Sequence, residues 1–121
     1  MQTRNRTNDT ITLSLDPIEQ LCLSNVLNEV CNGIEIKDFY RRMGISKQEI
    51  HRFHNVLAER IGSDSMEVVF TLKEMVAVRN ALSETLKELG IEEFSTRVGV
   101  SFDGGKEMLN SLNLVIGESP A

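Results

Sequence analysis

The 121-residue chain carries one unit twice: residues 16–57 and 71–112 align at an offset of 55 without a gap. Eleven of the 42 aligned positions are identical, where chance gives roughly two or three. The polar and glycine matches are Glu19/Glu74, Asn25/Asn80, Glu29/Glu84, Arg42/Arg97, Gly44/Gly99, Ser46/Ser101 and Asn55/Asn110. Leu27/Leu82, Ile36/Ile91, Phe39/Phe94 and Leu57/Leu112 complete the set. A solenoid needs three or more stacked repeats to cover its ends. Two copies are expected instead to close on each other, as the intramolecular version of a two-fold dimer.

Each copy opens with a short segment of period two. Ile11, Leu13 and Leu15 alternate with Thr10, Thr12 and Ser14, and Met66, Val68 and Phe70 repeat the pattern within Ser65–Phe70. Both read as half-buried strands. A capping box follows each: Asp16-Pro-Ile-Glu19 and Thr71-Leu-Lys-Glu74 place an acceptor at the N-cap and a carboxylate three residues on. Pro17 suits the first helical position, where its missing N–H costs nothing. The helices so started bury Leu23, Leu27, Val30 and Ile34 in one copy, and Val78, Leu82, Leu86 and Leu89 in the other. Gly33 and Gly90 mark their ends. Second helices run from about Ile36 to Met43 and from Ile91 to Val98, stopped by Gly44 and Gly99. Third helices begin at Ser46 and Ser101. The first carries Ile50, Phe53, Leu57 and Ile61 on its apolar stripe, the second Met108, Leu112 and Val115.

The expected architecture is therefore α+β and mainly helical: a strand–helix–helix–helix unit duplicated, its two strands antiparallel near a pseudo-two-fold axis. A single domain spans residues 10–116, made of repeats 10–61 and 65–116 joined at Gly62–Ser65. Residues 1–9 and 117–121 are expected to be mobile tails. No apolar run approaches the length of a membrane span and no signal peptide opens the sequence, so a soluble, cytoplasmic protein is expected. Cys22 and Cys31 lie nine residues apart on one helix, about 13.5 Å along its axis. That is too far for a disulfide, and free thiols suit a reducing compartment.

Candidate sites can be weighed against their doubles in the other copy. His51 and His54 form an HxxH pair, but two ligands are too few for a metal, and their doubles are Lys106 and Leu109. His51 is expected at a solvent position and His54 at a partly buried one. Glu29 with Arg42, repeated as Glu84 with Arg97, reads as an ion pair joining first and second helices within each copy. Asn25 and Asn80 are expected to tie the first helices to a neighbouring loop or across the dyad. Phe102-Asp-Gly-Gly-Lys106 has glycines beside a lysine without P-loop spacing. Gly105 aligns with Ile50, so the second copy lacks a core side chain there. No nucleophile–base pair, metal triad or dinucleotide fingerprint appears, so no enzyme, cofactor, metal or small-molecule substrate is expected.

Phe39, Met43, Ile45, Ile50 and Phe53 occupy apolar positions around a turn at Gly44, with Ser46 capping the helix beyond. Over some twenty residues this resembles the helix-turn-helix of bacterial DNA-binding proteins. The resemblance implies a recognition helix presenting Lys47, Gln48, His51, Arg52 and Asn55, with Arg41 nearby, to bases or phosphates. Residues 37–60 hold six basic and three acidic side chains. Tyr40 stands where that motif carries a small residue, and the second copy, Glu92–Val115, holds four acidic against two basic residues. The net charge of −5 opposes broad nucleic-acid binding. The preferred expectation is a small non-enzymatic interaction or regulatory module whose partner is a protein or a second copy of itself. DNA is the alternative partner.

Overall fold

The computed structural model describes residues 1–59 and 66–117. The expected junction at Gly62–Ser65, the stripe residue Ile61 and the C-terminal tail from residue 118 lie outside the described residues. The elements in order are β1 (Gln2–Arg6), β2 (Thr10–Leu15), α1 (Pro17–Asn28), α2 (Phe39–Met43), α3 (Lys47–Ala58), β3 (Met66–Thr71), α4 (Leu72–Glu88), α5 (Ile91–Val98) and α6 (Phe102–Gly117). The fold is α+β and mostly helical, with a three-stranded antiparallel sheet in the order β1-β2-β3.

Period-two patterning decides which face of the sheet meets the helices. Ile11, Leu13, Leu15, Val68 and Phe70 are all buried, while Val69 on the other face is exposed. β2 and β3 run antiparallel in unbroken register, with Leu13 opposite Val68 and Ile11 opposite Phe70. On the inner face α1 and α4 pack against each other, α3 against α1, and α6 against α4. The short helices cross over: α2 packs on α4 and α5 on α1.

Local chemistry explains the boundaries. Asp16, Ser46 and Thr71 each accept a bond from the amide three residues on, and Glu19, Glu49 and Glu74 each return one. Such caps stabilise a helix start by about 1 kcal/mol each. Gly44 and Gly99 close α2 and α5 at φ 87° and 85°, the left-handed region that glycine enters without steric cost. α1 continues into one widened turn, Glu29–Gly33, closed by the Ile34 amide donating to the Glu29 carbonyl at 2.7 Å. α2 starts at Phe39 rather than Ile36 because Asp38 adopts φ 52°, which no helix interior accommodates.

The N-terminal segment corrects an expectation. Residues 2–6 form a strand paired with β2, with an irregularity at Arg4, rather than part of a mobile tail. Gln2–Arg6 has no apolar alternation to announce it. It is held by ladder bonds and by its ends: the Met1 nitrogen donates to Glu19 Oε1 at 2.7 Å. Arg6 donates from Nη1 to the Val115 carbonyl at 2.6 Å and from Nη2 to the Ile116 carbonyl at 3.3 Å. These are carbonyls at the end of α6, where a cation also meets the negative end of the helix dipole.

The slot left by Gly105 is filled. A Cβ there would lie 2.6 Å from Phe94 Cζ, so the missing side chain makes room for the Phe94 ring, which is completely buried. Its counterpart Phe39, facing a half that has Ile50, is only partly buried.

Candidate functional site

The recurrent polar residues come together in pairs that join the two halves of the chain. Asn25 on α1 donates to the Val98 carbonyl at the end of α5, 2.8 Å away. Asn80 on α4 donates to the Met43 carbonyl at the end of α2, 3.2 Å away. Glu29 pairs with Arg97 of α5, and Arg42 of α2 meets Glu84 of α4 at 3.4 Å. The expected ion pair between Glu29 and Arg42 is therefore replaced by pairs that exchange partners. The cause is the crossing of α2 onto α4 and α5 onto α1, which carries each arginine to the other half's glutamate. Glu29 and Glu84 are buried residues, so each carboxylate must be met by a cation or by donors. Gly33 lets the first pair sit tightly, since a Cβ there would stand 2.5 Å from Glu29 Oε2 and 2.7 Å from Arg97 Nη2. Each of these carboxylates meets an arginine of the other half, and Arg42 and Arg97 also line a cleft of about 560 Å³ with Lys37, Glu35 and Glu88.

The outer side of α3 holds the residues expected to read nucleic acid. Lys47, Gln48, His51, Arg52 and Asn55 are all exposed, and so is Arg41, which pairs with Asp38 at 3.3 Å. Met43, Ile45, Ile50 and Leu57 are buried beneath them. Tyr40 is exposed, with Lys73 Nζ 6.0 Å above its ring. His54 is partly buried with its Nδ1 lacking a hydrogen-bond partner among the described residues, and burial, then the neighbouring His51, hold its pKa below 6.5. Among the described residues no group of three or more His, Cys, Asp or Glu side chains converges as a metal site would require. Cys22 and Cys31 are free and buried; burial, then Glu19, pushes the Cys22 thiol up to about 12, and burial also raises Cys31 against the pull of Lys47. Phe102–Lys106 forms the first turns of α6, and the Gly104 amide donates to Ser101 Oγ at 3.0 Å.

A second surface was not singled out by the sequence. Between α3 and β3 lies a cleft of about 460 Å³, lined in part by Glu49, Arg52, Phe53, Val56, Val69 and Glu74. Among the described residues β3 has a strand partner on one side only, β2, and the cleft runs along its other side. Val56 of α3 is 50 % exposed, and Val69, on the sheet face opposite the helices, is 62 % exposed. The signal was present in the repeat: Val56 and Val69 align with Ser111 and Ser14.

Comparison with known proteins gives no match, whether against family models, curated proteins or solved structures. Among the described residues no helix is long and apolar enough to cross a membrane.

Proposed function

We propose that the chain is a non-enzymatic protein-interaction module, built from two matched halves about a pseudo-two-fold axis and working in the cytoplasm. The β2–β3 register supports the matched halves. Leu13 faces Val68, its own counterpart at the offset of 55, and Ile11 faces Phe70 just as Leu15 faces Met66. Each pairing is thus repeated by exchange of the strands, as a two-fold requires. The polar contacts behave alike: Asn25 to Val98 and Asn80 to Met43 are one bond made twice. Glu29 with Arg97 and Glu84 with Arg42 are likewise one ion pair made twice.

One observation carries the functional reading. The recurrent Asn, Glu and Arg side chains, the best catalytic candidates, are engaged between the halves, while apolar side chains including Val56, Val69, Ile91 and Leu114 stay exposed on the surface. Exposed apolar surface is a docking feature. Free buried thiols agree with a reducing compartment. The test is capture by the immobilised full chain from its native host, together with its mass in solution. A stoichiometric protein partner or a defined self-association is expected. A strict monomer that retains no protein would contradict the proposal.

A second reading, a DNA-binding regulator, is favoured by the common exposure of Arg41, Lys47, Gln48, His51, Arg52 and Asn55. It requires retardation of genomic DNA at low salt, affinity that falls steeply with salt, and weakening by Lys47→Ala with Arg52→Ala. No retardation at low salt removes it.

A further inference from the structure

We propose that the chain associates with further copies of itself head to tail, the basic flank at α3 of one copy meeting the acidic flank at α6 of the next. This rests on reading the chain as a protein-binding module of two matched halves, and it names the surface and the partner. The helices set the geometry. α3 packs on α1, α1 on α4 and α4 on α6, so α3 and α6 end the row on opposite flanks. Each flank helix turns one side to the core, with Ile50 and Leu57 of α3 and Met108, Leu112 and Val115 of α6 buried. The other side of each is open: Lys47, Gln48, His51, Arg52 and Asn55 are exposed on α3, and Asp103, Lys106, Glu107 and Asn110 on α6.

The offset of 55 places these two exposed sets at equivalent positions, and their charge differs. Arg52 is answered by Glu107 and Gln48 by Asp103, and on the second helices Lys37 is answered by Glu92 and Arg41 by Thr96. Among the exposed residues from 37 to 59, five are Lys or Arg and two are acidic; among those from 92 to 114, two are Lys or Arg and four are acidic. Lys47, Arg52, Asp103 and Glu107 form no ion pair among the described residues, unlike Asp38 and Glu93, which meet Arg41 and Arg97. Lys106, the exception on the acidic flank, has its Nζ 5.7 Å from the centre of the Phe102 ring. Each flank helix also exposes an apolar side chain that a contact could cover, Val56 on α3 and Leu114 on α6. Charge selects the arrangement. Contact of α3 with α3, or of α6 with α6, sets like charges together, whereas α3 against α6 sets opposite charges together. Such a contact is heterologous: it leaves one flank of each copy open, so copies add in a row instead of closing as a two-fold dimer. The net charge of −5 repels whole copies, so the association is weak and depends on local pairing that salt screens.

The test is sedimentation of the full chain over concentrations up to about 1 mM at low salt. The average mass should rise steadily with concentration, pass that of a dimer, and fall back towards the monomer as salt goes from about 0.05 to 0.5 M. Lys47→Glu with Arg52→Glu makes both flanks acidic, and Asp103→Lys with Glu107→Arg makes both basic. Each variant alone should associate about tenfold or more weakly than the parent chain, and an equimolar mixture of the two should regain the parent's association. The mixture controls for altered net charge, and circular dichroism and Tm establish that each variant is folded. The proposal is overturned by a parent chain that is monomeric at about 1 mM, by a closed dimer whose mass grows no further, by association unchanged in both variants, or by a mixture that stays monomeric. If the chain stays monomeric yet captures another protein from its host, the module reading survives and this contact does not.

Discussion

Gly105→Ala probes how the second half fills a position that carries Ile50 in the first. The new Cβ would stand 2.6 Å from Phe94 Cζ, 2.7 Å from Cε1 and 3.2 Å from Leu86 Cδ2. Carbon atoms in contact prefer about 3.5–4.0 Å, so the ring must retreat by roughly 1 Å. It has little room, because Phe94 is completely buried and meets Phe102 edge-on with centroids 5.8 Å apart. Overpacking of this kind costs about 1–3 kcal/mol, and the better helix propensity of alanine offsets about 1 kcal/mol. The expected net loss is up to about 2 kcal/mol, or up to roughly 8 °C in Tm for a chain of this length. Urea denaturation of the single variants and of Gly105→Ala with Phe94→Leu supplies the decisive comparison. With the smaller side chain at 94, alanine at 105 should become neutral or stabilising, a coupling of about 1 kcal/mol or more. Equal cost in both backgrounds, or stabilisation in the parent chain, would refute the packing argument.

Three further outcomes are expected. His54→Leu, which installs the residue of the second half (Leu109), should stabilise the fold by about 1 kcal/mol by removing a buried nitrogen that has no partner among the described residues. Because the folded-state pKa of His54 lies below 6.5, the unfolded chain takes up that proton first. The His54 contribution is then complete above about pH 6.5 and lost as pH falls through the folded value, so urea midpoints at about pH 7.5 and 5.5 should differ less in the leucine variant. Arg6→Ala should cost about 1–2 kcal/mol through the lost bonds to the α6 carbonyls; a mobile tail would give no change in thermal melting. Titration with an aromatic disulfide reagent should modify Cys31 first, with Cys22 reacting only at the unfolding rate, since it is completely buried and its thiol is pushed up to about 12.

Much of the fold was legible where its causes are local. The alternation in Thr10–Leu15, the three capping boxes and the glycines at 44 and 99 each act within a few residues, and strands and helices appear where they point. β1 escaped because Gln2–Arg6 is polar throughout; its placement depends on β2 and on α6, more than a hundred residues away. Correspondence at the offset of 55 identified Glu29, Arg42, Glu84 and Arg97 as equivalents but could not say whether each pairs within its half or across. Only the crossing of α2 and α5 decides that. The groove was accessible in principle, since Val56 and Val69 replace serines at outward positions. That β3 has a strand partner on one side only among the described residues is a property of sheet order.

The central claim, two halves locked by exchanged polar contacts, is tested most directly by four double-mutant cycles on the two glutamates and two arginines, read by urea denaturation. Coupling is predicted for Glu29 with Arg97 and for Glu84 with Arg42, and simple additivity for Glu29 with Arg42 and for Glu84 with Arg97. Coupling confined to the pairs within each half would contradict the account.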